Sequence, residues 1–478
     1  MEEKISASLL TAFPEEKKAE VDALLSAAAK ADPNKIIVLD DDPTGVQTVH
    51  DVSVYTDWSE ESMESGLKED NKCFFVLTNS RGFTVEQTTR AHREIVANAV
   101  AASKKTGVPF TIVSRGDSTL RGHYPLETAL LAEGIRALIG TEMDGEILCP
   151  YFRQGGRFTL NDTHYVRYGE ELVPAAQTEF AGDKTFGYHH SDLKEYIEEK
   201  TQGAYKAADV TSVSLEELRQ VDIDGIAEKL MRVTGFGKVI VNACDDYDVK
   251  VLCIALYKAL AAGKHFCYRT AAAFVKALAD ISDKPLLTRE EMVVGRDGHG
   301  GIVVVGSHTK KTTAQLEELK TLPGVVPMEM NSDLVLQEGA LEKETADIVA
   351  RCEELILAGK TPVVYTRRTL LVVENDTPEA ALVRSVKISD AVQSVVGSLK
   401  VTPAFVIAKG GITSSDVGTK ALRVKKARVL GQIRPGIPVW QTGAESRFPG
   451  RAYVIFPGNV GEASTLKEAA AILMGQML

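Results

Sequence analysis

The sequence predicts an α/β protein of two domains, each a largely parallel sheet flanked by helices in a Rossmann-like arrangement. The chain has 478 residues, more than one ordinary hydrophobic core accommodates. Short β-branched runs alternate with longer amphipathic stretches, which is the pattern of strand–helix–strand units. The alternation stops once, in a charged stretch with four glycines near 281–300, and then resumes. These observations predict two α/β domains with a boundary near 285–300.

The alternation also predicts where each segment begins and ends. A helical extension is expected at 1–34, with an amphipathic helix from about 14 to 31. The first domain is expected at 35–285 and the second at 301–478. The segment 286–300 between them is expected to be a linker, because it mixes charge and glycine and lacks an apolar period.

Apolar runs bounded by turn residues predict the strands. In the first domain they are KIIVL, VSVYT, CFFVLT, FTIVS, EILCPYF and KVIVNA, and in the second GIVVVGS, TPVVYT, AFVIAKGG, ARVLGQI and AYVIFPG. Helices are expected between them at TVEQTTRAHREIVANAVAASKKTG, PLETALLAEGIRALIG and YDVKVLCIALYKALAAG.

Composition excludes several classes of function. The formal net charge of -11 argues against a general nucleic-acid or anionic-membrane binder, since both require a basic surface. The six cysteines form no C-x-x-C pair, so their spacing does not support a zinc site. The first residues lack an apolar signal core, and no run is long enough to span a bilayer. A cytoplasmic location is therefore expected.

Polar clusters follow four strand runs of the first domain, where ligands of open α/β sheets bind. The clusters are Asp40–Thr48, Asn79–Arg81, Ser114–Arg121 and Tyr151–Val166. A single aspartate after a strand is often only a helix cap, but three adjacent carboxylates exceed that need. Arginine matches a carboxylate bidentately, and the amide, hydroxyl and acid groups match hydroxyls, so a small polyhydroxy acid is the expected ligand. The candidate residues are Asp41, Asp42, Thr44, Asn79, Arg81, Arg115, Asp117, Ser118 and Arg121.

The acid cluster also permits a second interpretation. Asp40 to Thr44 fits D-x-D-x-T, the pattern of aspartyl-phosphate phosphatases of the haloacid dehalogenase type, in which the first aspartate is the nucleophile. The later lysine and acidic pair of those enzymes are not evident in order, and a glycine replaces their apolar residue after the threonine. The phosphatase remains an alternative.

Glycine turns follow four strand runs of the second domain. Glycine lets backbone N–H groups approach an anion, and a following helix N-terminus favours negative charge. Neither a P-loop nor a G-x-G-x-x-G after a strand is present, so a nucleotide site of another design is expected. The candidate residues are Ser307, Thr309, Gly410, Gly411, Ile412, Thr413, Gly436, Gly458 and Asn459.

Together these motifs resemble the four-carbon acid sugar kinases, which join a sugar-acid-binding domain to a nucleotide-binding domain. The resemblance covers the chain from about residue 35 onward. Two features depart from the family pattern, because Ile412 stands where an acid is common and Pro457 precedes the last glycine turn. The motifs that carry the resemblance are D-D-x-T-G at 41–45, TNSR at 78–81, GDSTLRG at 116–122, GGRFT at 155–159, GSHT at 306–309, GGIT at 410–413, PGIP at 435–438 and GNVG at 458–461.

The resemblance implies ATP-dependent phosphorylation of a hydroxyl of a four-carbon sugar acid, or of its 3-oxo form, in a cleft between the two domains. An aspartate acts as general base, and Asp41 is preferred to Asp42 or Asp117. The three candidate arginines then hold the substrate carboxylate, and Asn79 and Ser118 hold hydroxyls. Mg²⁺ is expected with ATP, although its protein ligands are not identifiable.

Other functions and partners stay open at this point. A non-catalytic sugar-acid or nucleotide sensor would bind ligand without turnover. The expected partners are a small sugar acid and ATP, with neither nucleic acid nor membrane. A homodimer is left open, because the N-terminal helix could pack on a partner subunit or on its own domain.

Overall fold

The structure is a computed structural model. It describes residues 3–294, 298–369, 371–373, 376–458 and 460–477. No helix in these ranges has the length and apolar character needed to cross a membrane.

The chain divides into two compact units. Unit 1 contains residues 1–45 and 57–283, and unit 2 contains residues 46–56 and 284–478. The sequence prediction ran the first domain without interruption from 35 to 285, whereas the structure assigns 46–56 to unit 2. Part of the predicted linker forms a short helix, and its residues 295–297 lie outside the described part of the chain.

Nineteen strands are described in chain order. They are β1 Ile5–Ser6, β2 Lys35–Asp40, β3 Ser53–Tyr55, β4 Cys73–Leu77, β5 Phe110–Arg115, β6 Gly145–Cys149, β7 Arg157–Leu160, β8 Thr163–Tyr168, β9 Glu171–Pro174, β10 Thr211–Val213, β11 Gly237–Val241, β12 Phe266–Thr270, β13 Ile302–Val305, β14 Val325–Met330, β15 Thr361–Thr366, β16 Phe405–Lys409, β17 Lys426–Arg434, β18 Ile437–Thr442 and β19 Ala452–Phe456.

The described α-helices accompany them. They are α1 Glu15–Ala31, α2 Glu60–Leu67, α3 Val85–Thr106, α4 Leu126–Ile139, α5 Leu193–Lys200, α6 Leu215–Gln220, α7 Ile223–Met231, α8 Asp246–Ala261, α9 Ala272–Leu278, α10 Arg289–Met292, α11 Lys310–Lys320, α12 Ala340–Leu357, α13 Pro378–Ser398, α14 Gly411–Asp416 and α15 Thr465–Met474.

Unit 1 contains a seven-stranded sheet in the order β10-β11-β6-β12-β5-β2-β4, and every neighbouring pair is parallel. Strands β2, β4 and β6 are buried along their whole length, as expected for apolar runs covered by helices on both faces. Helix α1 packs against α8 of the same unit. A second, antiparallel sheet in the order β1-β9-β8-β7 belongs to the same unit.

Unit 2 contains the order β3-β17-β18-β19-β16-β13-β15-β14. The strands from β19 to β14 pair in parallel, whereas β3, β17, β18 and β19 pair antiparallel. Helices α11 and α15 pack together, and their apolar residues join a core with β13, β16 and β19.

The predicted α/β class with two largely parallel, helix-flanked sheets is therefore confirmed. The antiparallel pairs were not predicted. The run ARVLGQI was taken for one more strand of the parallel series, but it forms a hairpin with β18 through the turn at Gly436.

Candidate functional site

The acid cluster lies where three neighbouring parallel strands of unit 1 end. Asp40 is the last residue of β2, and its register partners are Leu77 on β4 and Arg115 on β5. Because parallel strands end at one edge of the sheet, the polar segments that follow β2, β4 and β5 meet there. The next strand of the sheet also contributes, since the Gly116 N–H donates to the carbonyl of Thr270, the last residue of β12.

Asp40 lies beneath the turn that follows it. Its side chain is 2 % exposed, and Arg115 Nη1 is 3.3 Å from Oδ1. Burial raises the pKa of Asp40 to about 7 against the opposing effect of Arg115. A Cβ on Gly45 would lie only 1.9, 2.0 and 2.1 Å from Oδ2, Oδ1 and Cγ of Asp40. The glycine of D-D-x-T-G is thus required by the close approach of this carboxylate.

Asp41 and Asp42 share one arginine. Arg81 donates from Nη2 to Asp41 Oδ1 at 2.6 Å and from Nε to Oδ2 at 3.2 Å. Its Nη1 is 3.4 Å from Asp42 Oδ2, and Asp42 also accepts from the Thr44 N–H at 2.8 Å and the Thr44 hydroxyl at 2.5 Å. Burial raises the pKa of Asp41, whereas Arg81 and the two Thr44 hydrogen bonds outweigh burial and lower the pKa of Asp42.

Asp117 forms a second acid–arginine pair. Arg121 Nε donates to Asp117 Oδ2 at 2.7 Å, and the Thr119 hydroxyl donates to the same carboxylate. Burial would raise the pKa of Asp117, but the charges of Arg81 and Arg121 and these hydrogen bonds hold it well below its usual range. Asp117 is therefore a stable carboxylate and a weak base.

Each of the three arginines predicted to hold a substrate carboxylate already faces a protein carboxylate. Arg115 pairs with Asp40, Arg81 with Asp41 and Asp42, and Arg121 with Asp117. The predicted residues are thus brought together, but the arginine charges are largely satisfied within the cluster.

Arg157 was not among the candidate residues predicted from the sequence. It opens β7, and the centre of its guanidinium lies 5.5 Å from the Phe180 ring, which the Arg121 guanidinium approaches at 5.1 Å. Within the described residues Arg157 has no acidic partner at ion-pair distance, and its buried Nε has no hydrogen-bond partner. Burial lowers its pKa, with Asp117 opposing. The motif GGRFT was a signal for this residue.

A buried ion pair supports the GDSTLRG loop. Arg269 of β12 donates from Nη1 to Glu127 at 2.5 Å and from Nη2 to the Arg121 carbonyl at 3.0 Å. A Cβ on Gly116 would lie 2.3 Å from the Arg269 guanidinium carbon, and one on Gly122 would lie 2.6 Å from Nη2. Both glycines therefore make room for an arginine that no sequence motif indicated.

Asn79 and Ser118 also lie in loops at this edge. Asn79 follows β4 in the left-handed conformation, with φ 54° and ψ 24°. Ser118 is 9 % exposed, and its carbonyl oxygen lies 2.8 Å from His164 Nε2. Burial lowers the pKa of His164 to about 4, so this histidine is neutral at pH 7 and orients the loop.

A cavity of about 410 Å³ lies in unit 2 at the carboxyl ends of β13, β15 and β16. Among the residues predicted from the sequence, Ser307, Gly410, Gly411, Ile412 and Thr413 line it. The Ile412 side chain is 75 % exposed. Polar residues that the sequence prediction missed also line it, namely His308, Ser332, Thr366, Asp376, Arg384, Ser385 and Ser389.

Glycines keep the turns around this cavity close together. A Cβ on Gly306 would lie 2.2 Å from the Thr413 hydroxyl, and one on Gly410, where φ is 122°, would lie 3.0 Å from Ser307 Cβ. The Gly458 carbonyl oxygen lies 3.1 Å from the hydroxyls of both Thr309 and Thr312, so the last glycine turn is tied to the start of α11. Because these turns have no side chains at the glycine positions, phosphate oxygens can approach their backbone N–H groups closely.

Gly436, a predicted nucleotide residue, stands apart from this cavity. Gly436 forms the turn between β17 and β18, where its N–H donates to the Gln432 side chain at 2.6 Å and its carbonyl accepts from Gln47 at 3.1 Å. It is not among the residues that line the cavity. Asn459 lies outside the described residues.

Comparison with known families matches both halves of the chain. A sugar-binding N-terminal domain matches residues 36–278, and a nucleotide-binding C-terminal domain matches residues 302–466. The chain belongs to the four-carbon acid sugar kinase family. The family match confirms the resemblance that the sequence motifs predicted.

Solved structures share the fold of this family member. The Haemophilus influenzae protein HI1011 is 18% identical to this chain, with a TM-score of 0.59. The match covers 91% of this chain and 100% of HI1011. A Salmonella typhimurium LT2 protein is 14% identical with a TM-score of 0.63, covering 91% and 98%. Identities this low establish the fold alone. No curated protein matches the sequence.

The family resemblance also implies that Mg²⁺ binds with ATP, since phosphoryl transfer normally requires this ion. Across the described ranges, no three His, Cys, Asp or Glu side chains are grouped so that they could hold a metal ion.

Proposed function

We propose that this chain is an ATP-dependent kinase that phosphorylates a hydroxyl of a small, four-carbon sugar acid or of its 3-oxo form. The observation that carries the proposal is the joining of a sugar-binding and a nucleotide-binding domain in one chain. The clustered aspartates and arginines of unit 1 and the glycine-lined cavity of unit 2 supply matching chemistry.

Asp41 is the proposed general base. A base must be a carboxylate at the working pH yet retain affinity for the substrate proton, and a pKa raised toward neutrality provides both. Burial raises the pKa of Asp41, whereas the pKa values of Asp42 and Asp117 are lowered. Asp42 and Asp117 would instead accept hydrogen bonds from substrate hydroxyls, together with Asn79 and Ser118.

Arg157 is the proposed anchor of the substrate carboxylate. Its guanidinium has no acidic partner in the described part of the chain, and a buried N–H group without a partner favours a ligand that accepts from it. Arg81, Arg115 and Arg121 would mainly hold the aspartates in position.

The nucleotide would bind along the turns of Ser307, Gly410, Gly411 and Thr413, with the Gly458 turn nearby. Backbone N–H groups at such turns bind phosphates without side-chain charge. Mg²⁺ bound to the phosphates would offset the negative charge that develops during transfer. The protein side chains still have to hold and orient the sugar acid and to deprotonate its attacking hydroxyl.

The phosphatase alternative is less well supported. A nucleophilic Asp40 would have to reach a phosphorus atom, but its carboxylate is 2 % exposed and lies against Gly45 and Arg115. A sensor without turnover would use the same pockets and differs from the kinase only in activity.

The test is ADP production with ATP and Mg²⁺ across D- and L-threonate, D- and L-erythronate and their 3-oxo forms, with products weighed by mass spectrometry. A substrate-dependent gain of one phosphoryl group supports the kinase and identifies the acid. Binding of both ligands without product would support the sensor, and phosphate release without ATP would support the phosphatase.

A further inference from the structure

Lys409 is a buried cation for which the proposed mechanism has no role. It ends β16, and its side chain has no exposed surface, 0 %. Its Nζ donates to the Pro457 carbonyl at 2.5 Å and lies 4.2 Å from the Phe456 ring centre. No acidic side chain lies within ion-pair distance of Lys409 in the part of the chain that the structure describes. An ammonium without a counter-ion is costly to bury.

The groups that face Lys409 do not offset its charge. Lys311, in the first turn of α11, is the charged residue with the clearest effect, and it repels. The neighbouring strand β13 is Ile302–Val305 and carries no ionisable side chain. On β19 the ionisable residue is Tyr453, whose hydroxyl donates to the Ser414 carbonyl.

Three further elements complete these surroundings. On α14, which packs against β16, Asp416 lies 3.1 Å from Lys420, so its charge is paired there. On α15, Lys467 lies 3.7 Å from Glu318 and Glu468 lies 2.7 Å from Arg434, so their charges are paired elsewhere. His308, in the turn after β13, lines the cavity, and burial lowers its pKa. Burial likewise lowers the pKa of Lys409 to about 7, with Lys311 adding to the effect.

The position of Lys409 links it to the glycine turns. The residue immediately precedes Gly410, and its carbonyl accepts from the N–H groups of Gly306 and Ser307 at 3.3 and 3.4 Å. Its Nζ contacts the carbonyl directly before Gly458. The amine therefore lies against the turn after β19, and the backbone of the same residue is hydrogen-bonded to the turn after β13.

We propose that Lys409 is the proton-coupled counter-charge of the nucleotide site, so that binding of a nucleoside di- or triphosphate is accompanied by protonation of its amine. The proposal rests on the nucleotide-binding role proposed above and adds a pH control to it. A phosphate chain over the turns supplies the negative charge that the protein does not. The neutral amine then takes one proton from solvent, and no bond other than N–H is formed.

The test is titration calorimetry of the full-length protein with ADP alone, in buffers of different ionisation enthalpy. With an apo pKa near 7, binding should take up about 0.1 proton at pH 6, about 0.5 at pH 7 and about 0.9 at pH 8. The same linkage weakens ADP binding about five-fold from pH 7 to pH 8. The terminal phosphate of ADP also titrates, and the variants below correct for it.

Lys409→Met should abolish the uptake at pH 8 and weaken ADP binding at pH 7 by about 10- to 100-fold, the loss expected for a hydrogen bond to a charged group. Lys310→Met removes an exposed lysine at the start of α11, next to Lys311. This variant should leave the proton uptake unchanged. His308→Gln should also leave it unchanged, which distinguishes the lysine from the histidine in the cavity.

Uptake below about 0.2 proton at pH 8 in the wild type would overturn the proposal without reliance on any variant. Equal ADP affinity of Lys409→Met and wild type would overturn it as well. Proton-coupled ADP binding without phosphorylation of any acid would refute the kinase but support this inference. Absence of any ADP binding would refute both.

Discussion

The glycine of the GDSTLRG motif at position 116 can be tested as a packing requirement. In Gly116→Ala, the new Cβ would lie 2.3 Å from Cζ of Arg269 and 2.5 Å from both terminal nitrogens. Ordinary carbon contacts are about 3.5–4.0 Å, so the guanidinium must move by more than about 1 Å. Backbone strain does not contribute, because Gly116 is not among the glycines with positive φ.

That movement breaks a buried ion pair. Arg269 is 5 % exposed and Glu127 is 2 % exposed, and the guanidinium also donates to Ser114 at 3.2 Å and to the Arg121 carbonyl at 3.0 Å. Separating a buried pair costs about 3–5 kcal/mol. We expect Gly116→Ala to lower the free energy of unfolding of unit 1 by about 3 kcal/mol and its urea midpoint by about 1 M.

Tryptophan fluorescence can report on unit 1 separately. The chain has two tryptophans, Trp58 in unit 1 and Trp440 in unit 2, so a Trp440→Phe background leaves one reporter. The matched control is Gly82→Ala, where a Cβ would meet no atom within 4 Å and the change should stay within about 0.5 kcal/mol. If Gly116→Ala unfolded at the same urea concentration as Gly82→Ala, the packing argument would be refuted.

Three further predictions concern the proposed sites. Asp41→Asn should lower kcat by about 10²- to 10⁴-fold and leave ADP affinity unchanged. Asp42→Asn removes a weaker base and should lower kcat less. Equal losses of kcat in initial-rate assays would contradict the assignment of Asp41 as the base. Arg157→Met should raise KM for the acid at least about ten-fold, as expected for a lost charge-assisted contact, and leave KM for ATP unchanged. Lys409→Met should stabilise the apo protein by up to about 5 kcal/mol at pH 6, because the pKa of Lys409 falls from 10.5 in the unfolded chain to about 7 in the folded protein, and stability is lost as the pH falls through that interval. An unchanged melting temperature at pH 6 would contradict this.

The parallel strands could be predicted because they are buried on both faces and read as continuous apolar runs. KIIVL and CFFVLT correspond to β2 and β4 within one residue. The hairpin of β7 and β8 was missed, although RFTL alternates in polarity and is followed by Asn161 and Asp162, both of which have positive φ. The prediction placed this segment in a polar cluster that follows a strand and assigned no strand to it.

The sequence did not predict which acid pairs with which arginine in the site. The acids of D-D-x-T-G were identified because three adjacent carboxylates need an explanation. The partner of each acid depends on strand order, which places β5 and its Arg115 beside β2. Arg269 lies about 150 residues after Arg115 in the chain. It reaches the GDSTLRG loop only because β12 pairs with β5. Local motifs hold no information about that contact.

The balance of charge in unit 1 leads to a last prediction. Asp40, Asp41, Asp42, Asp117 and Asp183 are paired with three arginines, namely Arg81, Arg115 and Arg121, so the paired acids outnumber the paired arginines. A substrate carboxylate adds a negative charge, which favours protonation of the acid that most readily accepts a proton. That acid is Asp40, since burial raises its pKa to about 7.

Binding of the acid substrate should therefore take up a proton, and KM for the acid should rise with pH between 6 and 8. Initial rates at saturating ATP would measure this dependence. Asp40→Asn keeps the size of the side chain but cannot titrate, so it should flatten the profile, and Asp42→Asn is the matched control because the lowered pKa of Asp42 keeps it ionised throughout. A KM that is independent of pH in the wild type would show that the cluster accommodates the substrate charge without Asp40. Arg157, whose buried Nε has no hydrogen-bond partner, would then balance the substrate charge by itself.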